Sequence, residues 1–178
     1  MPRRNSLTTS ARRAAGKIVA TLTGHSKKVT VARFHVADAG LLFTASADKT
    51  VKMWRSGDGG GYSADATVSD HTDEVTGLTV HPTGAYLATA SRDKTWCFYD
   101  LGLGGSGPRC LTKVGGDGGG YECAEFHPDG LILGMATSDA LIRIWDMKSQ
   151  SNVHSFEGHR RARARVGRRR AFPPRKRP

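Results

Sequence analysis

Three segments of this chain are copies of one template: TASADKTVKMW ending at Trp54, TASRDKTWCFY ending at Tyr99 and MATSDALIRIW ending at Trp145. Each carries an Asp (Asp48, Asp93, Asp139) six residues before its final aromatic, and each is preceded by a second marker, FHV at Phe34, VHP at Val80 or FHP at Phe126. The period is about 46 residues, and self-similarity at a fixed period of this size marks a repeat architecture. One supersecondary unit must therefore recur and bury its apolar face against its neighbours.

The pattern inside the unit is one of short strands. Val29 to His35 alternates apolar and polar residues, Leu41 to Ser46 is a short apolar run, and Thr50 to Trp54 alternates again. All three read as strands with turn signals between them. Ile18 to Leu22 supplies a fourth strand type that recurs as Cys110 to Val114 and Val153 to Phe156. No segment keeps a helical period. Four antiparallel strands per unit, with a Gly-His before the first and a Trp-Asp closing the third, resemble the WD-repeat signature. The expected fold is all-β: a partial propeller of about three four-stranded blades out of a ring of seven, over residues 16–159, with residues 1–15 and 160–178 as disordered basic ends.

The resemblance to WD repeats implies a role for the polar template residues. In that family a His, a Ser or Thr, an Asp and a Trp form a hydrogen-bonded chain that satisfies groups buried between strands. Carried over, the first blade has His25, Thr44 or Ser46, Asp48 and Trp54. The second has His71, Thr89 or Ser91, Asp93 and Tyr99, a hydroxyl replacing the indole donor. The third keeps Thr137, Asp139 and Trp145, but Asp117 stands where the His belongs and Met135 takes one of the two hydroxyl positions. This blade is expected to be the least well tied.

Longer strings narrow the resemblance. ATLTGHSKKVT, DKTWCFYDL, FHPDGLILGMATSDALIRIWD and MKSQSNVHSFEGH are similar to the propeller of the pre-mRNA-processing factor nineteen family, spliceosome-associated U-box ubiquitin ligases. The resemblance implies a nuclear interaction scaffold acting in splicing and ubiquitination, with spliceosome-associated proteins and ubiquitination substrates as partners. The U-box and coiled-coil segment of that family are not in this sequence, so the fragment is not expected to be an enzyme. An incomplete ring leaves inter-blade faces and sheet edges open, and residues 16–159 alone are expected to aggregate or appear molten.

Charge divides by region. Residues 1–17 hold five basic and no acidic residues and residues 160–178 hold ten basic and no acidic ones, leaving 12 of the chain's 27 Lys and Arg against all 16 Asp and Glu. The net charge of +11 thus belongs to the ends. The tail RRARARVGRRRAFPPRKRP admits two readings. Arg clusters neutralise phosphates, which would make it a nuclear-localisation or RNA-binding arm and the chain a nucleic-acid-binding protein. Alternatively, a frame change in GC-rich coding sequence gives the same mixture of Arg, Ala, Gly and Pro. The abrupt loss of the blade pattern at Arg163, where Val29 and Val75 stand in the other repeats, favours the second. The N-terminal MPRRNSLTTSARRAAGK reads as a lead-in, with a transit peptide as the alternative.

Catalytic signals are weak. GLGGSG at Gly102 to Gly107 fits a dinucleotide pattern but precedes Pro108 and a strand, not the helix that phosphate binding needs. Cys97, Cys110 and Cys123 read as buried free thiols. No metal, cofactor or membrane span is expected. Function must come from surfaces, and the turns carrying the template His and Asp share one rim. The candidate binding residues there are Lys27, Lys28 and Lys49 on the first blade and Asp73, Glu74, Arg92 and Lys94 on the second.

Overall fold

The computed structural model describes residues 9–12, 18–57 and 60–157. The expectations for residues 160–178, and for most of the N-terminal lead-in, lie outside them. Within that lead-in, Thr9–Arg12 form a strand, β1, which pairs antiparallel with β2 (Ile18–Leu22). The rest is three four-stranded antiparallel sheets. The first blade is β3 (Val29–Phe34), β4 (Leu41–Ser46), β5 (Val51–Ser56) and β6 (Tyr62–Val68). The second is β7 (Val75–Val80), β8 (Tyr86–Ser91), β9 (Thr95–Asp100) and β10 (Arg109–Gly115). The third is β11 (Tyr121–Phe126), β12 (Ile132–Thr137), β13 (Leu141–Asp146) and β14 (Ser151–Glu157). The chain is thus an all-β partial propeller, with no helix among the described residues.

Sequence unit and blade are offset by one strand. The strand preceding His71 is β6, which closes the first blade from outside, whereas Ile18–Leu22 pairs only with β1. Sequence reasoning missed the strand Tyr62–Val68, although YSADATV alternates Tyr62, Ala64, Ala66 and Val68 with polar residues; two of the four apolar positions are alanine, so the apolar signal is weak.

Two apolar seams join the blades. Leu41, Phe43, Val51 and Met53 pack on Val75, Leu78, Leu87 and Tyr99 between the first and second. Ala88, Ala90 and Trp96 pack on Tyr121, Ala124, Phe126, Leu133, Met135 and Trp145 between the second and third. Strands β4 and β7 are buried along their whole length, because neighbouring blades or strands cover both faces. The inner strands approach closely. A Cβ at Gly77 would lie 2.7 Å from the Ala124 amide nitrogen, so only glycine lets β7 and β11 meet there.

Polar latches reinforce the seams at template positions. Each inner strand carries a register shift at its second residue, Thr30, Thr76 or Glu122. Such bulges re-aim a side chain. Thr30 donates to the Val75 carbonyl (2.5 Å) and Thr76 to the Tyr121 carbonyl (2.6 Å), each one blade further on. The His of the second marker does the same. His35 accepts the Asp38 amide at Nδ1 (2.9 Å), which leaves Nε2 protonated to donate to the Gly84 carbonyl of the next blade (2.7 Å). His81 repeats this contact with the Gly130 carbonyl (3.1 Å).

Candidate protein-interaction rim

The first blade holds its rim turns together from below. Trp54 Nε1 donates to Thr44 Oγ1 (2.8 Å), the Thr44 hydroxyl donates to His25 Nε2 (2.8 Å), and His25 Nδ1 donates to Asp48 Oδ2 (2.9 Å). Every donor in this one-way chain finds an acceptor, which burial demands, since His25, Thr44 and Trp54 are all buried. Asp48 also accepts the Ser26 amide (2.9 Å), the Thr50 amide (3.1 Å) and the Thr50 hydroxyl (2.6 Å). Burial alone would raise its pKa, but the bonds from Thr50, Ser26 and His25 outweigh it and hold the carboxyl at about 2. Of the two hydroxyls the sequence offers, Thr44 is the link. Ser46, two residues along the same face, instead donates to the Lys28 carbonyl (2.9 Å) and accepts the Asp48 amide (3.0 Å), clamping the two rim turns to each other.

The second blade repeats the inner half of this arrangement. His71 Nδ1 meets Asp93 at 3.1 Å and Nε2 meets Thr89 Oγ1 at 2.8 Å, while Ser91 donates to the Asp73 carbonyl (3.2 Å). Asp93 is held at about 2: burial opposes this, but Thr95 and the Thr72 amide prevail. Burial pushes the pKa of His71 down despite its carboxylate partner, which favours the neutral ring.

Tyr99 differs from the sequence expectation. Its hydroxyl donates to Asp70 Oδ2 (3.0 Å), not to Thr89. The reason is a paired change. A Cβ at Gly24 would stand 3.0 Å from Trp54 Cη2, so the indole needs glycine before the His. A tyrosine ring is smaller, and the position matching Gly24 is Asp70, whose carboxylate takes the hydroxyl.

In the third blade the chain does not form. Met135 stands opposite Arg143 as Thr44 stands opposite Lys52, so no hydroxyl occupies the linking position. Thr137 donates to Asp139, holding that carboxyl below its usual range, and Asp139 accepts the Gly119 amide (3.1 Å). Arg143 enters the space and donates to the backbone carbonyl of Asp117, whose side chain takes no part in the linkage expected of the His. Among the described residues Trp145 Nε1 has no acceptor, and neither does Trp96 Nε1 across the seam. The two indoles meet edge to face at 5.4 Å between centroids.

The rim residues fall into two groups. Lys27, Lys28 and Lys49 are exposed together on the first blade, because the Lys28 carbonyl accepts the Ala47 amide (2.9 Å) and brings the two turns side by side. On the second blade Arg92 pairs with Glu74 (3.2 Å) and with Glu122 of the third (3.2 Å), while Asp73 and Lys94 are exposed. Sequence reasoning missed Glu122, Asp70 and Arg143. Their signal was the departure from Thr76, Gly24 and Lys52 at matching template positions. Lys49, Lys94 and Ala140 all adopt left-handed φ (74°, 67° and 68°), so one turn geometry serves all three blades.

Other expectations meet mixed outcomes. Gly102 to Gly107 lie in the loop between β9 and β10. Cys97 is buried, and desolvation pushes its thiol up to about 12. Cys110 is half-buried, and Cys123 is exposed because the shift at Glu122 breaks the in-out alternation of β11. Among the described residues no three His, Cys, Asp or Glu gather closely enough to hold a metal ion, and no helix is long and apolar enough to cross a membrane.

The comparisons with known proteins agree with this geometry. The WD domain, G-beta repeat (WD40) family matches residues 16–55, 64–100 and 108–146. The second and third matches begin at the outer strands β6 and β10 of the preceding blades, the same one-strand offset seen in the sheets. Pre-mRNA-processing factor 19 of Oryza sativa subsp. japonica is 54% identical over 149 residues, and Pre-mRNA-processing factor 19 homolog 2 of Arabidopsis thaliana is 53% identical over the same length. Pre-mRNA-processing factor 19 of Bos taurus is 45% identical over 145 residues. These alignments cover 83%, 83% and 80% of this chain but 27% of each relative, so the chain spans about a quarter of the length of the curated relatives it matches. With three matched repeats folded as three successive blades, the chain belongs to the WD40-repeat family and has pre-mRNA-processing factor 19 proteins among its homologues.

Proposed function

We propose that the chain is a nuclear protein-interaction module of pre-mRNA splicing, a run of blades that recruits partners or substrates for a splicing-factor ubiquitin ligase. One observation carries this reading. The buried His-Asp ties of the first two blades hold the rim turns in one geometry, while the exposed residues at matching positions change from blade to blade. A fixed frame with variable side chains is a recognition surface. Similarity to proteins named for pre-mRNA processing supplies the process. No catalytic step is assigned to these 178 residues; ubiquitin transfer belongs to the U-box that the resemblance associates with longer proteins. The candidate contacts are Lys27, Lys28, Lys49, Asp73 and Lys94, with Glu74 and Arg92 engaged in the ion pairs that join the second and third blades.

Adding the tagged chain to splicing-competent nuclear extract and measuring co-recovered spliceosomal small nuclear RNAs tests the proposal. Recovery should survive replacement of the arginines in residues 160–178 by alanine. It should fall when Asp48→Ala and Asp93→Ala release the rim turns. Recovery no better than that of an unrelated propeller overturns the reading, and recovery that follows the tail arginines instead makes the chain a nucleic-acid binder.

A further inference from the structure

The three rim tips share a geometry but not a charge. At the five matching positions the first blade has Lys27, Lys28, Ala47, Asp48 and Lys49; the second has Asp73, Glu74, Arg92, Asp93 and Lys94; the third has Gly119, Gly120, Ser138, Asp139 and Ala140. Counting the turn Asp, the formal charges are +2, −1 and −1. The second tip pairs one of its cations, Arg92, with Glu74 and with Glu122 of the third blade. The first does not. Among the described residues none of Lys27, Lys28 and Lys49 has a carboxylate within ion-pairing distance. Asp48, the acid next to Lys49 in sequence, is directed inward and takes its bonds from His25, Ser26 and Thr50. The lysine-bearing turns are therefore anchored from beneath by an acid that leaves the ammonium groups to solvent.

We infer that the tip of the first blade is a docking point for an acidic protein segment, with Lys27, Lys28 and Lys49 contacting its carboxylates. This rests on the rim reading above and deepens it by naming the partner's chemistry. Two features favour a peptide over a single-stranded nucleic acid. Among the described residues the tip has no exposed aromatic on which a base would stack, the exposed Phe34 and Val36 lying at and beyond the opposite end of β3. The neighbouring tip turns Asp73 outward, which limits the positive area to a patch matched by a few carboxylates and not by a long polyanion.

The test uses the full chain and two fluorescent probes, a twelve-residue Glu-Gly peptide and a twelve-nucleotide oligouridylate, titrated at low and moderate salt. Two charge-matched variants are compared: Lys27→Ala/Lys28→Ala/Lys49→Ala at the tip, and Arg168→Ala/Arg169→Ala/Arg170→Ala in the basic tail. Ala140 already occupies the left-handed turn position in the third blade, so alanine at 49 is compatible with the backbone. Exposed ion pairs are individually weak, and losing three together should weaken peptide binding about tenfold. The tail variant should change it less than twofold. Equal losses in both variants, or no loss in the tip variant, overturn the assignment, as does a tip variant that loses oligouridylate more than peptide. Should the peptide fail while small nuclear RNAs are still co-recovered from extract, the rim reading stands and only the acidic partner is rejected.

Discussion

The first and third blades begin from the same template and end with different interiors. In the first, a four-residue chain runs from the Trp54 indole to the Asp48 carboxylate with each hydrogen placed on an acceptor. In the third, Met135 and Asp117 remove two links, Arg143 takes the vacated space, and the Trp145 indole is buried without a partner. The strand order is the same in both. Backbone pairing and seam packing are therefore enough to build a blade and the shape of its rim turn, and the polar chain adds side-chain bonds that anchor that turn to the blade interior. The second blade stands between them: its His-Asp tie is made, but its aromatic has been re-partnered through Asp70.

The comparison breaks most sharply at the turn acids. Asp48→Ala strands His25 Nδ1, the Ser26 amide and the Thr50 donors, and should cost about 3 kcal/mol in urea unfolding of the 178-residue chain, whose two buried seams are expected to give a measurable transition in spite of its open edges. Asp139→Ala strands fewer groups and should cost about 1 kcal/mol. Equal costs would mean that the first blade's chain adds nothing to the turn itself.

Next in size is the exchange between the first two blades. Tyr99→Trp alone should lose about 2 kcal/mol by overpacking against Asp70 and leaving its carboxylate without the hydroxyl. Adding Asp70→Gly recreates the pairing of Gly24 with Trp54 and should recover more than about 1 kcal/mol, measured as the coupling in a double-mutant cycle. Additive effects would show that the two positions are not linked.

Smaller still is the indole contrast. Trp54→Phe and Trp145→Phe remove the same atoms from buried sites, but only the first breaks a hydrogen bond. Trp54→Phe should therefore cost about 1 kcal/mol more than Trp145→Phe by the same unfolding assay.

Acid should act on the tied blades in two stages. The pKa of His71 lies below 6.5 in the folded chain, so the unfolded chain takes up the proton first and stability declines as pH falls below about 6.5. Asp48 and Asp93 are held at about 2 against 3.8, so their contribution is complete above about pH 5 and is lost as pH falls towards 2. Replacing His71 by Asn should flatten the upper stage and leave the lower one, as read from unfolding midpoints across the range.

Much of this was legible in the sequence. The period and the recurring Asp and His markers specify blades because they stand at the same turns of each unit, and the apolar run Leu41 to Ser46 specifies β4 because that strand is buried along its whole length. Tyr62–Val68 carries a period-2 alternation that was passed over, because two of its four apolar positions are only alanine. The sequence could not choose between Thr44 and Ser46, which lie on one face two residues apart; only the reach of the imidazole decides. The partner of Tyr99 required reading two distant positions together, Asp70 for Gly24 and Tyr99 for Trp54. The His35 and His81 markers could be seen as template residues, but their contacts cross to the next blade and depend on how blades stack.

Hydrogen-deuterium exchange on the full chain, followed by mass spectrometry of segments 23–30, 69–76 and 115–122, tests directly whether the buried tie is what fixes the rim. The three segments occupy the same place in successive blades and report in one experiment. Segments 23–30 and 69–76, whose Ser26 and Thr72 amides are held by tied Asp48 and Asp93, should exchange slowly, and segment 115–122 should exchange at least about tenfold faster. Asp48→Ala should bring segment 23–30 to the rate of segment 115–122. Equal protection in all three segments, or a first-blade tip that stays slow without Asp48, would contradict the claim that the His-Asp tie holds the rim.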